Sequence, residues 1–186
     1  MPEYSLTKSN YYADFVIMPV LAAAALLWLV GYHTAEPKVF FSALLAGVLG
    51  WSFTEYMLHR YVLHKVEPLK HQHILHHIAP DDYIGASSWI TVPIFSFLIV
   101  AAVYVLGPSI GVGLSVGILS GYYVYIAVHD RFHHTNSFYP LPLLVRLAKN
   151  HAWHHQRPKV NFGVSSPLWD LVFGTYATPR GFHGKT

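Results

Sequence analysis

Ten of the fourteen histidines in this sequence fall into four tight groups: His59 and His64; His73, His76 and His77; His129 and His133; His151, His154 and His155. Residues three and four apart share one face of a helix, so His129 with His133, and each group of three, can turn imidazoles toward a single point. His59 and His64 are five apart, which on a regular helix advances about 500° and leaves the side chains about 140° apart. A local π-type widening, or a helix end between them, is therefore predicted, with the two rings reaching one site from different sides. Neutral imidazole suits iron, zinc, copper and nickel, and ten such ligands exceed the roughly four to six positions around one ion. The pattern predicts two metal ions, and ligand type alone admits zinc as readily as iron. Metal-bound imidazoles commonly donate their second nitrogen to a carboxylate or carbonyl. Glu55, one turn before His59, Asp82, after the second group, and Asp130, beside His129, are placed for that role, as is His134. His33, His71 and His183 stand apart and read as surface or packing residues.

The elements that must carry these groups are apolar. The chain is 53% hydrophobic and 11% charged, outside the usual range of soluble domains. Four stretches, 15–32, 39–58, 89–106 and 110–128, can each span a membrane: 18 residues of helix rise about 27 Å, close to the roughly 30 Å hydrocarbon core. The connections 33–38 and 107–109 are too short for anything but tight hairpins at one membrane face, so 1–14, 59–88 and 129–186 share the other. Of twelve lysines and arginines, only Lys38 falls on the hairpin face, which places the termini and both long segments in the cytoplasm. His59 and His129 close the second and fourth spans, and the remaining groups lie in the cytoplasmic segments, so all four meet at one face. The expected architecture is all-α, a single domain over 1–186 with a helical cap at 59–88 and 129–178. The proline-containing stretch 137–142 reads as a loop, and no cleavage pattern follows the first apolar stretch, so it is read as a span rather than a signal peptide.

Composition also excludes chemistry. Without cysteine there is no disulfide framework, thiolate zinc site or cysteine-ligated iron–sulfur cluster. A net charge of +3 without basic runs argues against a nucleic-acid partner. A metal transporter would place polar ligands near the bilayer midplane, whereas these cluster at the span ends and beyond, which favours catalysis over transport or zinc sensing. Arg60, Lys65, Arg146, Lys149, Arg157 and Lys159 read as a basic surface facing an acidic carrier or anionic lipid headgroups. Tyr122, Tyr125, Phe132, Trp153, Phe162 and Trp169 are aromatic residues near the groups, as interface anchors, core or lining of an acyl groove.

The motifs HRYVLH at 59–64, HILHH at 73–77, HDRFHH at 129–134 and HAWHH at 151–155 resemble the fatty acid hydroxylase superfamily of histidine-rich membrane di-iron oxygenases. The similarity runs over 51–178, and NFGVSSPLWDLVFGT at 161–175 is similar to the tail of fatty acid and sphingolipid 2-hydroxylases. The resemblance implies four membrane helices with a cytoplasmic cap and a pair of iron ions, with zinc an expected substitute in purified protein. It implies His59, His64, His73, His76, His77, His129, His133, His151, His154 and His155 as ligands, and use of O2 to insert one oxygen atom into an unactivated C–H bond of a lipid. Asp130 after His129 is instead reminiscent of carotenoid hydroxylases, so a sterol or carotenoid hydroxylase or desaturase is the alternative. Neither a glycine-rich dinucleotide fingerprint nor the fused b-type cytochrome of many eukaryotic members is seen. An external electron donor is therefore expected, a b-type cytochrome or a ferredoxin with its reductase, in a bacterial inner membrane first and the endoplasmic reticulum second.

Overall fold

The computed structural model describes residues 5–135 and 141–178; His183 and residues 137–140 of the expected loop lie outside them. Every regular element among the described residues is helical: α1 (Lys8–Tyr32), α2 (Pro37–Met57), a π-helix (Leu58–Leu63), α3 (Leu69–Ile78), α4 (Ser88–Leu106), α5 (Pro108–His134), α6 (Pro142–Gln156) and α7 (Leu168–Val172). The chain divides into two compact units, one of Met1–Trp51 and Asp82–Val124, the other of Ser52–Asp81 and Tyr125–Thr186. Four helices are long and apolar enough to cross a membrane: Lys8–Tyr32, Pro37–Leu63, Ser88–Leu106 and Pro108–His134.

These helices outrun the apolar stretches that announce them, because a helix ends where its backbone is capped and not where hydropathy falls. The Thr7 side chain accepts from Asn10 N and opens α1 at Lys8; Ser87 does the same for α4 through Trp89 N. α5 continues without a break through the polar residues to His134.

In the first unit α1 packs along α4, and Ala25 and Leu29 of α1 meet Val112 and Val116 of α5 in the core. Large apolar side chains point outward, Leu27 at 74% and Phe97 at 70% exposure, as lipid-facing positions do. The two short connections meet at one end, where Glu36 N donates to Ser109 Oγ at 3.1 Å. At the other, Leu6 N donates to Tyr83 O at 2.8 Å and Asn10 Nδ2 to Ser87 Oγ at 3.0 Å. α2 and α5 touch through glycine: a Cβ on Gly117 would run into Leu44 O and Gly47 Cα, so this pair approaches backbone to backbone, the small-residue packing that membrane helices use in place of a hydrophobic drive. Asp14 is buried and accepts from Thr91 Oγ1 at 2.8 Å and Tyr122 OH at 2.5 Å, a polar tie joining α1, α4 and α5.

The second unit holds the end of α2, the π-helix, α3, the last turns of α5, and α6 and α7. All ten grouped histidines belong to it.

Candidate metal centre

In the π-helix the i→i+5 ladder stacks residues five apart, and the rings of His59 and His64 lie 5.1 Å apart with planes 22° from parallel. The awkward spacing is thus accommodated by the backbone, and the two rings enter the site side by side instead of from the different sides expected. α3 packs against this segment and carries the second group; α6 carries the fourth. The ring nitrogens form two sets, each within 4.8 Å: His59, His64, His73, His77 and His154, and His76, His133, His151 and His155. Helical phase explains the division. The i,i+4 pair of α3, His73 and His77, enters the first set while His76 turns to the second; on α6 the i,i+4 pair His151 and His155 enters the second while His154 turns to the first.

The nitrogens face one another at the separations of ligands around an ion. His59 Nε2 and His77 Nε2 stand 3.0 and 3.1 Å from His73 Nε2, and His64 Nε2 stands 3.1 Å from His154 Nε2. In the second set His151 Nε2 stands 2.7 Å from His133 Nε2 and 3.1 Å from His155 Nε2. Ligands about 2.0–2.1 Å from a shared ion and roughly at right angles to tetrahedral stand about 2.9–3.4 Å apart. His59 Nδ1 donates to Phe162 O at 2.5 Å and His154 Nδ1 to Val160 O at 2.7 Å. Each neutral ring therefore carries its proton on Nδ1 and presents a bare lone pair at Nε2. Lone pairs aimed at a common point repel unless a cation sits among them. Among the described residues both nitrogens of His76 are buried without a partner, and a ring that turns one of them to an ion would leave one fewer unsatisfied.

Electrostatics keeps these imidazoles in the form that can bind a metal. Burial, followed by the neighbouring imidazole of His77, lowers His64 to about 4. Burial brings His154 down to about 3, the Val160 carbonyl partly opposing it, and takes His76 and His155 to about 2 with help from surrounding histidines. His73, His77 and His151 are lowered by the same burial. A ring that does not protonate at neutral pH is free to coordinate.

His129, on α5, is not in either nitrogen set, but its ring lies 4.8, 4.7 and 4.9 Å from those of His76, His133 and His151. Of the groups expected to steady the ligands, Asp130 and His134 face each other at 4.0 Å on successive turns of α5, and Asp82 falls in the first unit. Glu55 is buried and works through the chain rather than on a ring. It accepts from Val164 N at 2.7 Å, Ser165 N at 2.9 Å and the Ser165 hydroxyl, pinning the segment whose Phe162 carbonyl orients His59.

The same segment is held by residues that spacing does not reveal. Asp170 accepts from Phe162 N at 2.8 Å, Gly163 N at 2.7 Å and Thr175 Oγ1 at 2.7 Å; burial raises its pKa while these donors oppose the shift. Asn161 adopts φ 53°, tolerable for its short polar side chain, whose amide exchanges bonds with Ala177 O at 2.9 Å and Ala177 N at 2.8 Å. Asp170 is the one charged residue in 161–175, and a lone charge in an apolar stretch signals a buried carboxylate with dedicated donors.

Phe162 closes over the first set, 5.5–5.8 Å from His59, His64 and His154, and Tyr125 stacks on His129 at 5.7 Å. Phe132 lies 5.8 Å from His151. Trp153 lies under Arg157 and Trp169 bonds Ser52 Oγ at 3.0 Å; Tyr122 serves the Asp14 tie of the first unit.

Comparison with known proteins agrees with this geometry. Human fatty acid 2-hydroxylase is 31% identical over 83% of this chain, which spans 45% of that protein. The Arabidopsis thaliana dihydroceramide fatty acyl 2-hydroxylase FAH1 is 27% identical over 90% of this chain and is spanned to 78%. The solved structure of full-length scs7p, with only the hydroxylase domain visible, superposes with a TM-score of 0.76 at 26% identity, covering 96% of this chain and 71% of that one. Residues 44–175 match the fatty acid hydroxylase family over most of the chain, and the chain belongs to that family.

Proposed function

We propose that this protein is a membrane oxidoreductase that hydroxylates the acyl chain of a fatty acid or sphingolipid at the carbon beside the carbonyl. The observation that carries the reading is the pair of converging, neutral imidazole sets; similarity to fatty acid 2-hydroxylases and a dihydroceramide fatty acyl 2-hydroxylase supports the substrate class. His59, His64, His73, His77 and His154 would hold one ion, and His76, His133, His151 and His155, completed by His129, the other. Iron bound there would supply activation of O2 against a C–H bond. The protein's part is to fix the rings. The carbonyls of Phe162 and Val160 set the tautomers of His59 and His154, Glu55 and Asp170 hold the segment that carries the Phe162 carbonyl, and Phe162 screens the first set from water. Electrons would come from an external carrier of the b-type cytochrome or ferredoxin class. The lysine and arginine distribution supports cytoplasmic termini; the compartment we read is a bacterial inner membrane before the endoplasmic reticulum.

The test is a mass shift. In a host supplying a general electron donor, hydrolysed lipids from cells making the wild type should gain one oxygen on acyl chains, located by fragmentation beside the carboxyl carbon, and cells making His154→Ala should not. Loss of two hydrogens instead would make the protein a desaturase, and oxidation of added sterols or carotenoids with unchanged acyl chains would replace the substrate.

A further inference from the structure

On the face of α6 away from the ligands, Arg146, Lys149 and Asn150 line a cavity of about 320 Å³ with Pro142, Val145, Tyr176 and Thr178. Its size is at the lower end for sites that take small organic ligands. Three features specify an anion. Arg146 donates through Nη2 and Nε to Tyr176 OH at 3.0 and 3.2 Å and packs against that ring, so the guanidinium is held in place while the tyrosine proton stays available to a further acceptor. Lys149 and Arg146 have no carboxylate partner among the described residues. Asn150, only 2% exposed, adds an amide to the lining.

Guanidinium, ammonium, amide and phenol together offer several donors and two positive charges, the complement of a tetrahedral oxyanion. Beside Pro142 the side chains of Leu141 and Leu143 are 57% and 58% exposed, an apolar rim that a free anion would not use and a lipid would. We propose that this cavity binds the phosphate group of an anionic phospholipid. Asn150 directly precedes the ligand His151 on α6, so an occupied cavity braces the helix that carries His151, His154 and His155.

The test uses the full metal-loaded chain in a neutral detergent and measures binding isotherms for short-chain phosphatidic acid, short-chain phosphatidylcholine and inorganic phosphate. Phosphatidic acid should bind saturably at one site, more tightly than either of the others. The double variant Arg146→Gln, Lys149→Gln, at two exposed positions, should weaken that binding about tenfold or more, as loss of charge-assisted bonds does. Asn150→Asp, which aims a carboxylate at the anion, should weaken it similarly, whereas Arg157→Gln, Lys159→Gln, outside the lining, should leave it unchanged. Metal content equal to wild type shows that each variant is folded. Absence of saturable binding, or unchanged binding in the Arg146, Lys149 variant, would overturn the site; inorganic phosphate binding as tightly as phosphatidic acid would overturn the lipid assignment.

Discussion

At the scale of residues, the protons of the clustered imidazoles are assigned by their neighbours. Asp170→Ala removes the acceptor for Phe162 N, Gly163 N and Thr175 Oγ1 at once. Leaving buried donors unsatisfied should cost on the order of 3 kcal/mol and release the carbonyl that orients His59, so a lower unfolding midpoint should come with weaker metal retention. Acid should act on the metal-free protein in a defined window. The unfolded chain takes up protons near 6.5, whereas His64 refuses one until about 4 and His154 until about 3. The unfolded state therefore binds more protons between those values, and stability, level above about 6.5, should fall as pH drops through the window. Circular dichroism of chelator-treated protein from neutral to acid pH reads this directly; a flat response would contradict the buried, neutral rings. The histidines themselves were legible because side chains four apart on a helix share a face, as His73 with His77 and His151 with His155 do, although the third member of each group, His76 or His154, turns to the other set instead of the single point expected. Asn161 and Ser165 were not, since their partners are positioned by the tertiary fold: Ser165 meets Glu55 across more than a hundred residues of chain, and no local pattern encodes that meeting; Asp170 stands out only as the lone charge of its stretch, without naming its donors Phe162, Gly163 and Thr175.

Elements show the same division between what periodicity reveals and what packing decides. Five-residue spacing of His59 and His64 demanded a departure from the α-helix, and the π-helix supplies it. Apolar length located all four spans, but their ends were set by the Thr7 and Ser87 caps and by the run of α5 to His134, which hydropathy does not report. The role of Gly117 was hidden too, because a glycine among apolar residues says nothing of which backbone approaches it. Gly117→Leu should force α2 from α5, since its first added carbon already meets Leu44 O. The expected result is a loss of a few kcal/mol, as overpacking produces, seen as reduced folded yield and earlier thermal unfolding in detergent; wild-type stability would contradict the close approach.

For the whole molecule, the two histidine sets make metal a part of the fold. An ion that binds only the folded chain stabilises it by mass action, so chelation should lower the unfolding midpoint by several degrees and restoring iron should recover it. Elemental analysis should find about two ions per chain in the wild type and about one in His154→Ala, which breaks only the first set. Whether this centre places an atom of molecular oxygen on a lipid acyl chain, as proposed, is decided by isotope labelling. Iron-loaded protein, given reductant through an electron carrier and a fatty acyl lipid, would be run under heavy-isotope oxygen gas in ordinary water. One heavy oxygen is expected on the carbon beside the carbonyl. Acyl chains left unlabelled by a fully metal-loaded and reduced protein, or labelled from water, would contradict it.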